Sequence, residues 1–228
     1  MAQIPSWMQG HRDQWANTGR SRPDFARIPG PGQESVWDYP RPPQLVADAR
    51  EVVVRLGEHT LAQTRRAQRV LETASPPTFY LPPEDVDVPC LVPSGRGSVC
   101  EWKGAAQYWS VRGADETANA IWTYPDPFPG FEPIAGWFAF YPARFACFVA
   151  GERVTPQPGG FYGGWVTSEI VGPMTGEPGT GHWGDGGASR RRGAGAGSSA
   201  GRRRRSARTR RRSVGGGRAP PTVECRRR

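Results

Sequence analysis

The most constraining feature of this sequence is the shortness of its apolar runs. Between about residues 35 and 154, apolar stretches of a few residues alternate with Gly, Pro, Asn and Asp, as in 52–56 and 145–149. Short runs rich in β-branched and aromatic residues, bounded by turn residues, are typical of β-strands. We therefore predict a mainly β fold, a compact antiparallel sheet or barrel-like domain with one or two short helices and a disordered basic C-terminal tail.

Three pairs of runs predict hairpins, because a glycine or a Pro-containing turn separates the members of each pair. The pairs are 51–56 with 60–64 around Gly57, 99–103 with 107–112 around Gly104, and 137–141 with 145–149 around residues 142–144. A last short strand is expected at Arg153 and Val154.

Two short helices are expected in the same region. In residues 65–72, Ala67, Val70 and Leu71 share one helical face, and Thr64 precedes them as a potential N-cap. A single helical turn is predicted at 82–85, after a strand at 78–81, because prolines and acidic residues favour a helix N-terminus.

Charge divides the chain into regions of opposite sign. The whole chain carries +9, from 30 Lys+Arg and 21 Asp+Glu, but residues 187–228 alone contain 15 Arg and one Glu, which leaves −5 for residues 1–186. We predict a flexible N-terminal arm at 1–32, a folded domain at 33–154, a Gly/Pro/aromatic segment wrapping it at 155–186, and a disordered tail at 187–228.

The tail is a candidate for non-specific nucleic-acid binding, because clustered guanidinium groups neutralise phosphates without reading sequence. An alternative is that the tail results from a shifted reading frame in GC-rich DNA. The candidate phosphate contacts are Arg190, Arg191, Arg192, Arg202, Arg203, Arg204, Arg205, Arg210, Arg211 and Arg212.

Several classes of protein are disfavoured. The longest apolar run has six residues, far short of the roughly 20 that span a bilayer, so we expect no membrane partner. The N-terminus lacks the apolar stretch of a secretory signal, which predicts a cytoplasmic protein. Four cysteines without C-x-x-C spacing predict free thiols and no metal site. No phosphate-loop motif is present, and we expect no cofactor.

Several motifs together resemble a bacterial family of uncharacterised domains, the domain of unknown function 427, which is sometimes labelled nucleotidyltransferase-like. They span residues 36–43, 70–73, 76–86, 100–104, 108–109, 122–127 and 140–142. The resemblance implies a compact, mostly β fold and no established activity. In much of the family a proline follows the cysteine of the Cys100–Gly104 motif, and Glu101 stands there in this chain.

Lys103 is the only lysine in the sequence. An amine retained where arginine is used everywhere else suggests a role that a guanidinium cannot perform, such as a point charge on an anion. The alternative is a surface lysine paired with Glu101. Alternation along a strand places Cys100 and Lys103 on opposite faces unless the turn or a bulge rotates one of them, which argues against a pairing of the two. A buried, inert thiol is the commoner case for a cysteine such as Cys100.

The leading functional hypothesis is a pocket lined with aromatic residues, in which Lys103 binds a small polar or anionic ligand. The candidate residues are Lys103, Glu101, Cys100, Tyr108, Trp122, Tyr124, Asp126, Glu72 and Tyr80. No catalytic residue is predicted. Two copies of W-x-Y-P-x-P, at 37–42 and 122–127, are either extended segments that pack on the sheet or two walls of one cleft.

Overall fold

Antiparallel β-sheet dominates the protein, which confirms the predicted mainly β class. The computed structural model describes residues 4–13 and 15–178. That part of the chain contains α1 (Ser6–Arg12) and fifteen strands, which are β1 (Glu34–Ser35), β2 (Gln44–Asp48), β3 (Val52–Leu56), β4 (His59–Thr64), β5 (Ala67–Glu72), β6 (Ser75–Tyr80), β7 (Leu91–Cys100), β8 (Gly104–Val111), β9 (Ile121–Thr123), β10 (Ala139–Phe140), β11 (Ala146–Val149), β12 (Glu152–Arg153), β13 (Thr155–Pro156), β14 (Trp165–Val166) and β15 (Ile170–Val171).

Three antiparallel sheets form the body. Their strand orders are β10-β9-β8-β7, β12-β11-β3-β4 and β2-β5-β6. Two short ribbons complete it: β13 pairs with β14, and β1 pairs in parallel with β15. The parallel pair joins the beginning of the body to its end, 136 residues later along the chain.

Two of the three predicted hairpins are confirmed. β3 and β4 meet at Gly57, whose φ of +57° is readily adopted by glycine. β7 and β8 pair from Leu91 with Val111 to Cys100 with Gly104, so Gly104 begins the second strand and residues 101–103 form the turn. The predicted turn at 82–85 is also present, as a 3-10 helix at Pro83–Asp85.

The helix predicted at 65–72 is wrong, because those residues form β5. β5 is the central strand of its sheet, hydrogen-bonded to β2 on one side and β6 on the other. Pairing on both edges outweighs the helical spacing of three apolar residues. Thr64, expected as an N-cap, accepts a hydrogen bond from the Arg66 amide at 2.9 Å and donates one to Asp85.

The hairpin predicted around residues 142–144 is also wrong. The chain forms strands on both sides of that turn, but β10 pairs with β9 and β11 pairs with β3, in different sheets. A corner between sheets and a hairpin turn leave the same signature of apolar runs and turn residues, which explains the error.

The central core lies between the sheets. It buries aromatic and aliphatic side chains from all three, including Phe79, Phe140, Phe145, Leu61 and Trp165. Trp165 stacks on Phe79 at 4.9 Å and donates its indole N–H to the Phe140 carbonyl at 3.0 Å. The segment after β12 therefore contributes a fully buried tryptophan to the core.

The N-terminal region contains a helix that was not predicted. α1 buries Met8, which is 1% exposed, and residues 15–18 continue along the body. The predicted arginine tail lies outside the described residues. In the part of the chain that is described, no helix has the length and apolarity needed to cross a bilayer.

Candidate functional site

The candidate site is built around the turn that connects β7 to β8. The pairing of Cys100 with Gly104 closes residues 101–103 into a tight loop. Gly104 has a φ of +98°, and the Lys103 carbonyl accepts a hydrogen bond from the Phe128 amide at 3.1 Å. These constraints hold the Lys103 backbone against the loop that follows β9.

The Lys103 side chain is buried and unpaired. The residue is 8% exposed, although lysine is almost never buried without a partner. Among residues 4–13 and 15–178, no hydrogen bond or ion pair to its ammonium group is found. Its Nζ makes a cation–π contact with the Phe131 ring, whose centroid lies 5.9 Å away. The predicted surface pair between Lys103 and Glu101 is therefore not formed.

The surroundings keep Lys103 charged. Burial by itself lowers the lysine pKa, but the electrostatic influence of Cys100, Tyr80, Glu72 and Glu101 outweighs burial and raises the pKa above its ordinary value. The first of these residues lies at the end of β7, so the turn brings the Cys100 thiol and the Lys103 amine into one electrostatic neighbourhood. Cys100 is a free thiol.

Two buried tyrosines add neutral hydrogen-bond donors. Burial raises the pKa of Tyr80 to about 12, although the charge of Lys103 opposes that shift. Burial and the neighbouring Cys100 raise the pKa of Tyr124 well above its usual range. Both hydroxyls are consequently protonated at neutral pH, and the group has the character of a donor site rather than a general base.

Trp122 forms an aromatic wall beside these groups. Its indole N–H donates to the Tyr80 hydroxyl at 3.3 Å, and its ring lies 4.6 Å from that of Tyr141. A Cβ placed on Gly163 would lie 2.3 Å from the Trp122 ring, so the glycine-rich segment 159–164 approaches the wall more closely than any other residue type permits.

The remaining predicted residues lie around this centre. Glu72 ends β5 and forms an ion pair with Arg41 at 3.0 Å. Tyr108 is half-buried and shares a hydrogen bond of 3.0 Å with Ser98. Asp126 is exposed, and its carbonyl lies beside Gly104. The structure thus groups Lys103, Cys100, Tyr80, Tyr124 and Trp122 at the centre and places the others at its border.

The two W-x-Y-P-x-P copies do not form two walls of one cleft. Trp122 and Tyr124 belong to the cluster around Lys103, whereas Trp37 and Tyr39 belong to a separate cluster with Ile170 and Met174. Trp37 donates to the Pro173 carbonyl at 2.8 Å. The first copy has a structural role, which the sequence repeat alone could not distinguish.

Sequence reasoning missed Arg41, Arg12 and Trp102. The Arg41 guanidinium is 3.6 Å from the Trp15 ring centroid, and that of Arg12 is 4.8 Å from the Trp102 ring centroid. Arg41 belongs to the first W-x-Y-P-x-P copy and Trp102 to the Lys103 turn, so both lie in motifs that the sequence analysis identified, but neither was predicted as a site residue. The position of the arm, which no local pattern encodes, gives them their partners.

One further polar group contains metal-ligand residue types. Ligand atoms of His59, Asp87 and Cys90 lie within 4.8 Å of one another. His59 and Asp87 bond each other at 3.0 Å, and the Cys90 sulfur has a further partner. The sequence spacing gave no indication of this group, and we assign no metal to it.

Comparison with known proteins identifies the domain but not its activity. Residues 44–151 match a family model described as a domain of unknown function, DUF427, whose name is of the nucleotidyltransferase type. No curated protein matches the chain. The matched segment contains the turn, the two tyrosines and Trp122, so the Lys103 site lies within the family domain.

Proposed function

Because this chain belongs through residues 44–151 to the DUF427 family, we propose that the family domain binds a small anionic ligand at Lys103. The ligand class is a carboxylate or phosphate small enough to enter a largely buried site.

The unpaired burial of Lys103 carries the proposal. Transferring an ammonium group out of water is strongly unfavourable unless a counter-charge and hydrogen bonds replace the lost hydration. Glu72 and Glu101 supply counter-charge without contact, but no described side chain hydrogen-bonds or ion-pairs with the Lys103 ammonium group, and a bound anion would supply that direct partner. Lys103 is the only lysine in a chain that uses arginine at every other Lys/Arg position. Its ammonium group is more compact than a guanidinium group, which suits an anion in a confined site.

The neighbouring groups favour an acceptor-rich ligand. Tyr80 and Tyr124 retain their protons at neutral pH and can donate to ligand oxygens. The raised pKa of Lys103 supports a charged anchor over an amine nucleophile, which would require a lowered pKa. The proposal therefore concerns electrostatic binding of an anion at a fixed charge.

The glycine-rich segment 159–164 supplies the opening of the site. Gly163 lies against Trp122, and the pKa of the neighbouring Tyr162 is raised by burial and by Glu72 and Glu101. Ligand entry requires this segment to move, and its glycines make such movement inexpensive in backbone strain.

The experiment is a thermal-shift titration of the full chain with inorganic phosphate and a series of small mono- and dicarboxylates. We expect at least one anion to raise Tm in proportion to the logarithm of its concentration, and Lys103→Met to remove that rise. Arg144→Met, an exposed substitution of similar charge change, is the control. An unchanged response in Lys103→Met, or no response to any anion, contradicts the proposal.

A second candidate function is non-specific nucleic-acid binding through the arginine tail. Its support is the charge of residues 187–228, which hold 15 Arg and one Glu. The body supplies no affinity in this account, and a truncation after Trp183 separates the two functions.

A further inference from the structure

A cavity lies between the N-terminal arm and the body. Its volume is about 230 Å³, and it is lined by Gln9, Arg12, Asp13, Trp15, Thr18, Arg41, Pro42 and Trp102. Lys103 does not line it, so the cavity is distinct from the proposed ligand site. It is smaller than the roughly 300–1,000 Å³ of pockets for drug-sized ligands, which restricts it to a small molecule.

Two buried donors beside this cavity have no acceptor. Trp102 is 5% exposed and Arg41 is 7% exposed. Neither the Trp102 indole N–H nor the Arg41 Nε–H finds a hydrogen-bond partner among the described residues. Buried N–H groups are normally satisfied, and two unsatisfied ones on a single cavity indicate a missing acceptor.

The terminal nitrogens of Arg41 donate three hydrogen bonds, which makes the orphaned Nε–H more informative. One terminal nitrogen donates to Glu72 at 3.0 Å and to the Thr73 carbonyl at 2.9 Å, and the other to the Asn17 carbonyl at 3.5 Å. The guanidinium is therefore fixed, and its Nε–H cannot turn to another acceptor without breaking these bonds.

The charge of the lining favours an anion. Two arginines face one aspartate, and Asp13 already accepts a hydrogen bond from Gln9 at 2.9 Å. Arg12 donates its Nε–H to the Glu101 carbonyl at 2.7 Å, so its positive charge stays at the cavity without a carboxylate partner in the described part of the chain. A negatively charged acceptor satisfies both the charge and the orphaned donors.

We infer that this cavity is a binding site for a small oxyanion, a carboxylate or a phosphate, held by Trp102 Nε1, Arg41 Nε and the Arg12 guanidinium. Because Arg12 and Trp15 come from the arm, the bound anion also fixes the arm to the body. Occupancy and arm docking are thermodynamically linked, so the ligand protects the arm from proteolysis.

The test uses the full chain with inorganic phosphate and, separately, acetate and benzoate, read by tryptophan fluorescence and by the rate of tryptic cleavage in the arm. Trp102→Phe replaces the indole with a phenyl ring, so it retains an aromatic side chain and removes the orphaned donor. We expect it to weaken oxyanion affinity by about tenfold or more, the effect of one charge-assisted hydrogen bond. The phosphate and carboxylate titrations identify which oxyanion the cavity prefers.

The matched control is Trp109→Phe, because the Trp109 indole N–H already donates to Thr123 at 3.2 Å. It should leave oxyanion affinity unchanged, although both substitutions remove buried ring volume and should lower the Tm of the unliganded protein. Equal affinity in wild type and Trp102→Phe, or no binding of any probe, overturns the inference. Loss of affinity in Lys103→Met alone would assign the binding to the other site.

Discussion

The guanidinium of Arg41 lies 3.6 Å from the centroid of the Trp15 ring and joins the body to the N-terminal arm. In a second cation–π contact the roles are exchanged, because the Arg12 guanidinium of the arm lies over the Trp102 ring of the body. Each partner supplies one cation and one aromatic ring, so the arm is attached at two points. These contacts place the arm beside the turn that carries Lys103.

Trp15→Ala should release the arm. Removing the ring abolishes the contact with Arg41, so we expect faster tryptic cleavage between residues 4 and 22 with little change in the Tm of the body. Trp7→Ala is the control, because Trp7 is 62% exposed. Equal cleavage rates in wild type and both variants would show that the Arg41–Trp15 contact does not hold the arm.

Gly163→Ala should destabilise the protein. The added methyl group would lie 2.3 Å from the Trp122 ring, so the segment or the ring must shift, at a cost of about 1–3 kcal/mol. The control is Gly10→Ala, where a Cβ meets nothing within 4 Å and the helix gains stability. Urea denaturation measures both, and an unchanged midpoint for Gly163→Ala would contradict the close approach.

Asp48 should make stability depend on acidic pH. Burial alone raises the pKa of Asp48, but hydrogen bonds from the Arg50 side chain and amide outweigh it and lower the pKa. Because the folded-state pKa is depressed, the stabilisation is complete above the unfolded-state value of about 4 and is lost as pH falls below it.

Asp48→Asn should therefore reduce the free energy of unfolding at pH 7 by about 2 kcal/mol and flatten its decline between about pH 5 and 2. Asp115→Asn, in an exposed turn, should change neither. If Asp48→Asn showed the wild-type dependence of unfolding free energy on pH, the Asp48 carboxylate would not contribute to acid sensitivity.

Truncation after Trp183 should abolish non-specific DNA binding if the tail supplies the affinity. The full chain should bind with log K falling by about 0.9 per phosphate contact for each tenfold increase in salt. The shortened chain should retain the anion-induced rise in Tm. DNA binding by the truncated chain with the same salt slope would transfer the interaction to the body.

The sequence predicted the class of fold because turn residues limit strand length, and this signal is local. It failed at 65–72, where β5 gains hydrogen bonds on both edges, and at 137–149, where neighbouring runs enter different sheets. Both outcomes depend on partners distant in sequence, which residue spacing does not encode.

The candidate site was likewise predictable only where its signal was local. Lys103 was recognisable as the only lysine, and the tyrosines by the segments that contain them. Its unpaired burial depends on the turn, on β5 and β6, and on the loop after β9, so no sequence pattern could reveal it. The partners of Arg41 and Trp102 come from the arm, whose position against the body no local pattern encodes.

The most direct test of the proposed function observes Lys103 itself. Selective ¹⁵N-lysine labelling gives a single side-chain amine signal, because the chain contains one lysine. We expect this Nζ to remain an ammonium group through pH 10, with a pKa above the ordinary value of about 10.4, and to shift when the stabilising anion is added. An ordinary pKa together with a signal that no anion perturbs would contradict the assignment of Lys103 as the anion-binding charge.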